Sequence, residues 1–360
     1  MSASGELDKH NESRAPGPGV VTGRSGSIGK VFYVEPDFWP LNTTLYVKDF
    51  HGNYPRFIFY LLVSFDLERF SSGAGVPTLN RNSFHQELVW IPSSTEEQKR
   101  IVAILDEAFA GIETAIANTE KNLANAQELF EGYLNSIFNE RNESWLMKPL
   151  RSVTTKIGSG ATPRGGQSAY KDSGVPLIRS LNIYDRRFKS KKLAFIDDEQ
   201  ADHLSNAIVE DRDVLFNITG ASIARCCVAP TTYIPARVNQ HVSILRPIQS
   251  ELHCDFLCYM LTSRIYKDHL LGIGDEGGST RQAITKSQLQ NLTVGLPGRS
   301  EQEVIVDKLK LIEAETQRLE YNLEHKQMAL RELKQSLLQK AFSGELTADR
   351  AEREAESATG

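Results

Sequence analysis

Two stretches of this chain, Gln98 to Phe138 and Gln302 to Phe342, echo each other, with apolar residues recurring at matching positions. At one fixed offset Gln98 meets Gln302, Ile101 meets Ile305, Val102 meets Val306 and Leu105 meets Leu309. Further on, Leu129 meets Leu333, Leu134 meets Leu338 and Phe138 meets Phe342. Each copy follows an apolar segment ending in proline, Trp90-Ile91-Pro92 and Gly295-Leu296-Pro297. A repeat this long is no solenoid period. It constrains the chain to two copies of one large unit, a globular part followed by a long helix.

The second copy is the clearer helix. Ile305, Leu309, Ile312, Thr316, Leu319, Leu323, Lys326, Leu330, Leu333 and Leu337 step by four and three with no glycine or proline between them. That heptad spacing predicts a helix packed along its length on another, and forty helical residues span about 60 Å. The first copy has the same seam in smaller residues: Ile101, Leu105, Ala108, Ile112, Ala115, Thr119, Asn122, Ala126, Leu129 and Tyr133. The economical arrangement pairs the two helices antiparallel as a coiled coil. An ordinary bundle helix and an intermolecular coiled coil are the alternatives.

The chain has 360 residues, enough for two ordinary domains, and a net charge of −5. It shows no secretory leader and no apolar run long enough to span a bilayer. Four cysteines in so long a chain fit reduced thiols and a cytoplasmic setting. Cys254 and Cys258 are four apart on an expected helix beside His253. A zinc site can be drawn from them, but the second ligand pair is missing, so buried helical thiols are the expectation and no metal is assigned.

The segments are expected as follows. Residues 1–19, polar and ending Ala15-Pro16-Gly17-Pro18-Gly19, form a disordered lead-in. Residues 20–92 form a β-rich globular part with strands at Val31–Val34 and Thr44–Val47 and a helix at Tyr54–Phe70. The first long helix takes 93–140, a second globular region takes 141–297, the second long helix 298–343, and a charged tail 344–360. Asn217–Ala224 matches Val21–Ile28, and a helix Asp255–Leu271 with a following glycine loop matches Tyr54–Pro77. Residues 145–216 have no counterpart in the first half.

No motif reads as a catalytic centre. Gly23–Lys30 imitates a phosphate loop, but the glycine spacing is wrong, Val31 follows the lysine, and a strand rather than a helix comes next. Gly158–Gly166 lacks a strand–turn–helix setting, because Pro163 and Gly165-Gly166 block a helix. Local charge says more. Between Lys148 and Lys192 stand eleven basic residues against two acids, Asp172 and Asp185. So segregated a charge suits a phosphate-contacting face, although a solvated basic face is the plain alternative. The candidate DNA contacts are Lys156, Thr162, Arg164, Arg179, Asn182, Arg186, Arg187, Lys189, Lys191, Lys192 and Arg281. Gln167, Tyr170, Tyr184, Arg237, Asn239, Gln240, His241 and Gln282 are types that can add to that surface by charge, stacking or reading base edges.

The order of these features, given twice, resembles the DNA specificity subunit of Type I restriction–modification systems. The residues concerned are Pro92 with Glu97-Gln98 and Ile101-Val102, then Pro297 with Glu301-Gln302 and Ile305-Val306. At the start of a unit they are Trp145, Leu150, Gly158, Gly160, Thr162-Pro163 and Val175–Ile178. The resemblance implies an α+β chain: β-rich target recognition domains, the first partial at 20–92 and the second at 141–297, joined by two long helices in an antiparallel coiled coil. It also implies a chain shortened at its N-terminus. In that family each recognition domain reads half of a split target, and the helices set the gap and dock methyltransferase subunits. The partners implied are double-stranded DNA, methyltransferase subunits and the restriction subunit. S-adenosylmethionine, ATP and Mg belong to those partners, and none to this chain, which is expected to be no enzyme. The docking seam is Ile305, Leu309, Ile312, Leu319, Leu323, Leu330, Leu333 and Leu337. The rival from another class is a non-enzymatic coiled-coil scaffold with two protein-binding adaptor domains. A nucleotide hydrolase using Gly23–Lys30 comes third.

Overall fold

The computed structural model describes residues 1–72, 76–139, 144–275 and 283–348. In chain order the first elements are β1 (Gly19–Gly23), β2 (Val31–Val34), β3 (Thr44–Tyr46), α1 (Pro55–Ser64), β4 (Ser71–Ser72), β5 (Thr78–Leu79), α2 (Arg81–Phe84) and α3 (Thr95–Asn139). The chain continues with β6 (Leu146–Pro149), β7 (Thr154–Ser159), β8 (Val175–Ile178), β9 (Ile183–Tyr184), β10 (Arg187–Phe188), β11 (Ala194–Ile196), α4 (Asp198–Asp202) and β12 (Ile208–Val209). Then come β13 (Val214–Asn217), β14 (Cys226–Val228), β15 (Ala236–Val238), β16 (Val242–Pro247), α5 (Cys254–Thr262), α6 (Arg264–Asp275), α7 (Lys286–Asn291), β17 (Thr293–Leu296) and α8 (Arg299–Ser343). The fold is mixed α and β. It divides into two units, Met1–Leu123 with Tyr321–Gly360, and Ala124–Glu320. Each unit therefore owns the N-terminal half of one long helix and the C-terminal half of the other.

The first unit has a three-stranded antiparallel sheet in the order β2-β1-β3, with Val21 opposite Phe32 and Tyr46. The two ends of residues 1–19 are packed on it rather than forming the loose lead-in expected, and residues 6–14 between them are exposed. The Met1 amine donates to the Trp39 carbonyl at 2.8 Å, Ala15 bridges Phe38, and Ala15, Val21 and Phe38 share a small core. A polar segment is held because its few small apolar residues cover aromatic rings that would otherwise face water. The helical core sets Phe57 and Tyr60 of α1 against Ile101, Val102, Leu105 and Phe109 of α3 and Leu338 and Ala341 of α8. The expected helix Tyr54–Phe70 stops at Ser64 and resumes as a 3₁₀ turn over Leu67–Phe70.

The second unit has two four-stranded sheets, β11-β8-β15-β12 and β14-β13-β16-β7. Alternation along the strands decides which face packs where. Leu215 and Ile244 join a core with Leu177, Ile178 and Val238 of the first sheet, whereas Val214, Phe216 and Leu245 join a core with α5, α7 and the long helices. The helix expected over Asp255–Leu271 is two helices, α5 and α6. Ser263 breaks it with extended backbone, its Oγ donating to the Met260 carbonyl at 2.6 Å.

The repeated glutamines explain the repeated helix starts. Gln98 Oε1 accepts from the Tyr54 amide at 2.7 Å while its Nε2 donates to the Pro92 carbonyl at 3.0 Å. Gln302 does the same with the His253 amide, at 2.9 Å, and the Pro297 carbonyl, at 3.0 Å. Each amide thus ties its proline-ended segment and its short helix to the first turn of a long helix, satisfying backbone groups that burial would leave orphaned.

The heptad seam differs by half a step from the one the apolar pattern suggests. Leu309, Leu323, Leu330 and Leu337 lie on the inward side of α8, but Leu319 and Leu333 are 46% and 48% exposed. In their place the inward side holds Glu313, Glu320, Gln327 and Lys334, and Lys326 is exposed. On α3 Phe130 is buried and Leu129 exposed. Gln327 and Lys334 are tolerated there because they are paired: in the first unit Gln327 donates to Glu120 at 2.7 Å and Lys334 to Glu113 at 3.0 Å.

Candidate nucleic-acid interface

β8 and β15 run parallel, with Val238 opposite Ile178, so their C-terminal ends lie side by side. Four loops are tied together there. The Asn239 amide donates to the Ile178 carbonyl at 3.1 Å and the Gly160 amide to the Asn239 carbonyl at 3.3 Å. Asn217 Nδ2 donates to the Ser180 carbonyl at 3.0 Å, and the Ile218 amide to the His241 carbonyl at 3.0 Å. Gly160 is needed for this closure, since a Cβ there would stand 1.7 Å from the Val238 carbonyl oxygen.

The rim so formed has a row of hydrogen-bonding side chains. Thr162 donates to Gln240, Gln240 Nε2 lies 3.2 Å from His241 Nε2, and His241 Nδ1 shares a 2.6 Å hydrogen bond with Thr219. Gln240 is exposed, so its amide is open to a ligand. Hydroxyl, amide and imidazole are the groups that distinguish base edges.

Next to this row is a basic loop, residues 189–192. Asn182 is fully buried, and its Nδ2 donates to the Lys189 carbonyl at 2.9 Å and the Lys191 carbonyl at 3.4 Å. The Arg179 guanidinium takes the Lys192 carbonyl, and the Arg179 amide donates to Asn182 Oδ1 at 3.1 Å. With the backbone held inward, Lys189, Lys191 and Lys192 are exposed. Lys189 Nζ sits 3.8 Å from the Tyr184 ring centre and Arg225 5.1 Å from the same ring, while Arg179 lies 5.1 Å from that of Tyr170. Cations on aromatic faces beside a hydrogen-bonding row suit a polyanion that also offers edges to read.

The expected contacts do not all come together. Thr162, Arg179, Lys189, Lys191 and Lys192 belong to this rim, and Arg164 is exposed in the loop after β7. Asn182 is a buried staple and presents nothing outward. Lys156 is opposite Arg246, well along β7 from the rim, and burial, with Arg246 beside it, pulls its ammonium below the usual range. Arg281 and Gln282 lie outside the described residues. Thr219 and Arg225 were not flagged by sequence, because a single residue beside a cysteine pair or in a glycine turn gives no periodic or charge signal.

Arg186 faces elsewhere. It occupies the β9–β10 turn in a left-handed conformation, φ 61°, and its side chain is only 15% exposed. Its Nε donates to Glu313 of α8 at 2.9 Å, a second guanidinium nitrogen to Glu131 of α3 at 2.8 Å, and the group lies 4.9 Å from the Phe130 ring centre. Burial alone lowers its pKa, but the two carboxylates reverse this and hold it above its ordinary value. Tyr259 also donates to Glu313, at 2.8 Å. Arg187 is exposed and lines the same acidic cleft.

The zinc set drawn from sequence is not assembled. Cys258 Sγ lies 3.9 Å from Cys226 Sγ, and the nearest grouping is His253, Cys254 and Asp255. His253 Nδ1 accepts the Asp255 amide, Asp255 is paired with Lys310 at 2.6 Å, and burial pushes the Cys254 thiol up to about 11. The imidazole and the carboxylate are already committed to a cap and an ion pair and the thiol keeps its proton, which fits a helix cap better than a metal. No described helix is long and apolar enough to cross a membrane.

The family model described as Type I restriction modification DNA specificity domain matches residues 2–123 and 142–326. The EcoKI specificity subunit of Escherichia coli (strain K12) is 23% identical over 207 residues, 57% of this chain and 44% of its own length. The putative MjaX specificity subunit of Methanocaldococcus jannaschii is 24% identical over 316 residues, 79% of this chain and 68% of its own. The aligned region thus spans about half of the former relative. Among solved structures, a chain from work on complex assembly and conformational transition of the type I R-M system superposes with a TM-score of 0.75 at 22% identity, covering 92% of this chain and 83% of that one. The HsdS subunit from Thermoanaerobacter tengcongensis gives 0.58 at 22% identity, covering 94% and 84%. At these identities the likeness to the solved chains is one of fold.

Proposed function

Because this chain belongs to the Type I restriction modification DNA specificity family, we propose that it recognises DNA sequence through the rim of its second unit and catalyses no reaction itself. The observation that carries the reading is the loop pinned by Asn182, which turns three lysines outward beside the Thr162–Gln240–His241–Thr219 row. The lysines contact phosphates and set affinity; the row meets base edges and sets sequence.

The finer parts of the reading follow the family. The target is split, and the globular part of each unit meets one half-site. α3 and α8 form an antiparallel coiled coil that fixes the gap, supported by the Gln327–Glu120 and Lys334–Glu113 contacts in the first unit. Methyltransferase subunits, and with them the restriction subunit, dock on that rod. S-adenosylmethionine, ATP and Mg act on those subunits, in the cytoplasm.

The test is selection of random duplex DNA by the purified chain, with and without a co-expressed methyltransferase subunit. The expected result is an enriched split motif. Replacing Lys189, Lys191 and Lys192 together by Ala lowers the slope of log affinity against log salt by up to about 0.9 per lost contact, with the motif unchanged. Gln240→Ala relaxes the motif and leaves the slope alone. No enriched motif with the partner present, and no salt-dependent binding of DNA at all, would overturn the reading in favour of a protein scaffold.

A further inference from the structure

In the second unit the proline-ended segment before the long helix is a strand, β17, and β6 covers it. Thr293 is opposite Pro149, Val294 opposite Lys148, Gly295 opposite Met147 and Leu296 opposite Leu146. Val294 and Leu296 are buried. In the first unit the equivalent segment is Leu88–Ile91. Its register is fixed independently of sequence similarity, because the Pro92 and Pro297 carbonyls accept the Nε2 of the repeated Gln98 and Gln302. Leu88–Ile91 forms no strand, and no backbone hydrogen bond joins it to any described residue. Leu88 is fully exposed, and Val89, Trp90 and Ile91 are exposed as well. Four consecutive apolar residues with open backbone groups form the kind of edge that folded proteins normally cover. The covering strand of the second unit is β6, Leu146–Pro149.

We infer that Leu88–Ile91 is a docking slot for one extended strand of a second polypeptide, added antiparallel as β6 is added to β17. The occupant's chemistry is that of Leu146–Pro149: two apolar residues, a base and a proline. Main-chain hydrogen bonds supply the affinity of such strand addition, and the alternate side chains its selectivity. The occupant does not bring a cation like Arg186 with it. The position that Glu313 holds in the second unit is Phe109 in the first, packed edge-on against Tyr60 with ring centres 5.4 Å apart. A strand therefore fits this unit without an accompanying basic hairpin.

The probe is a synthetic peptide with the sequence of Ser144–Ser152, titrated into the full chain while amide hydrogen exchange is followed by mass spectrometry. DNA and methyltransferase are absent, so the result does not depend on the DNA-recognition reading. Exchange across Leu88–Ile91 is expected to slow by on the order of tenfold or more at saturation, with Thr293–Leu296 unchanged. A peptide carrying Met147→Pro, which lacks a donor in mid-strand, gives no slowing, and Val89→Asp in the chain removes the effect. Three outcomes would overturn the inference. They are exchange at Leu88–Ile91 already as slow as at Thr293–Leu296 without peptide, no slowing at millimolar peptide, and equal slowing by a scrambled peptide.

Discussion

Phe57 in the first unit and Phe256 in the second are both fully buried, and each packs on the far end of a different long helix. Phe57 meets Phe342 of α8 with ring centres 5.2 Å apart, and Phe256 meets Phe138 of α3 at 5.4 Å. Tyr60 and Tyr259 occupy equivalent places and donate to carboxylates, Asp106 and Glu313. Even the ion pair between short and long helix is kept with its charges exchanged: Arg56 with Asp106 in the first unit, Asp255 with Lys310 in the second. The units part at one position. Glu313 receives Arg186 from the β9–β10 hairpin, whereas its equivalent Phe109 receives Lys334 from α8 itself, 4.8 Å from the ring centre. The helical scheme is thus common to both, and at this position the long helix is acidic in the unit where a basic hairpin arrives. In the second unit the β9–β10 hairpin is joined to α3 and α8 through Arg186.

The comparison breaks most easily at the phenylalanines. Phe57→Ala and Phe256→Ala are each expected to cost about 3–5 kcal/mol, read by chemical denaturation with separate probes for the two units. Loss from one substitution and none from the other would mean that the shared packing does not support both units equally.

Arg186 comes next. Arg186→Met leaves Glu131 and Glu313 facing a part-buried seam without their cation. The expected cost is about 3 kcal/mol, the low end for breaking a buried pair because Glu131 keeps nearly half its exposure. Adding Glu313→Phe, the residue type of the first unit, should recover most of that loss. A single substitution as costly as the double would show that Arg186 holds the hairpin by packing alone. The exchanged ion pairs are a smaller matter. Arg56 and Asp106 are about a third exposed and Lys310 about half, so Arg56→Asp or Asp106→Arg alone should cost on the order of 1 kcal/mol or less. The double exchange, which copies the polarity of the second unit, should be near neutral. A double variant as unstable as the sum of the singles would mean that the pair is fixed by its neighbours.

Periodicity made the long helices and their repeat legible, since apolar residues at heptad spacing need only be counted. It misjudged the seam because leucine attracts the eye. Leu319 and Leu333 face water, while Glu313, Gln327 and Lys334 lie on the inward side with partners no heptad rule can supply. The basic stretch was legible as a region and misleading residue by residue. A charge count cannot separate Lys189, which is exposed, from Arg186, which closes an ion pair, or see that Asn182 is consumed by two backbone carbonyls. Those assignments depend on the β9–β10 turn and on side chains more than a hundred residues away.

The smallest expected effect separates the units by pH. His253 is the residue before α5, and its Nδ1 accepts the Asp255 amide at 3.1 Å; Tyr54, in the same place before α1, makes no side-chain cap. Burial lowers the His253 pKa, with Arg299 and Lys310 also disfavouring a charge there and Asp255 and Glu303 partly offsetting them. An imidazolium at a helix start opposes the helix dipole and cannot accept the amide. As pH falls through the ordinary histidine value of about 6.5, the unfolded chain therefore takes up the proton before the folded one does. This contribution to the second unit's stability is complete above that value and is lost as pH falls toward the lower folded value. Unfolding followed from pH 7.5 to 5.5 should show the second unit weakening. His253→Asn, which keeps a cap and does not titrate, should remove that dependence, and the Tyr54 side of the comparison should show none. Equal pH dependence in the Asn variant would place the titrating group elsewhere.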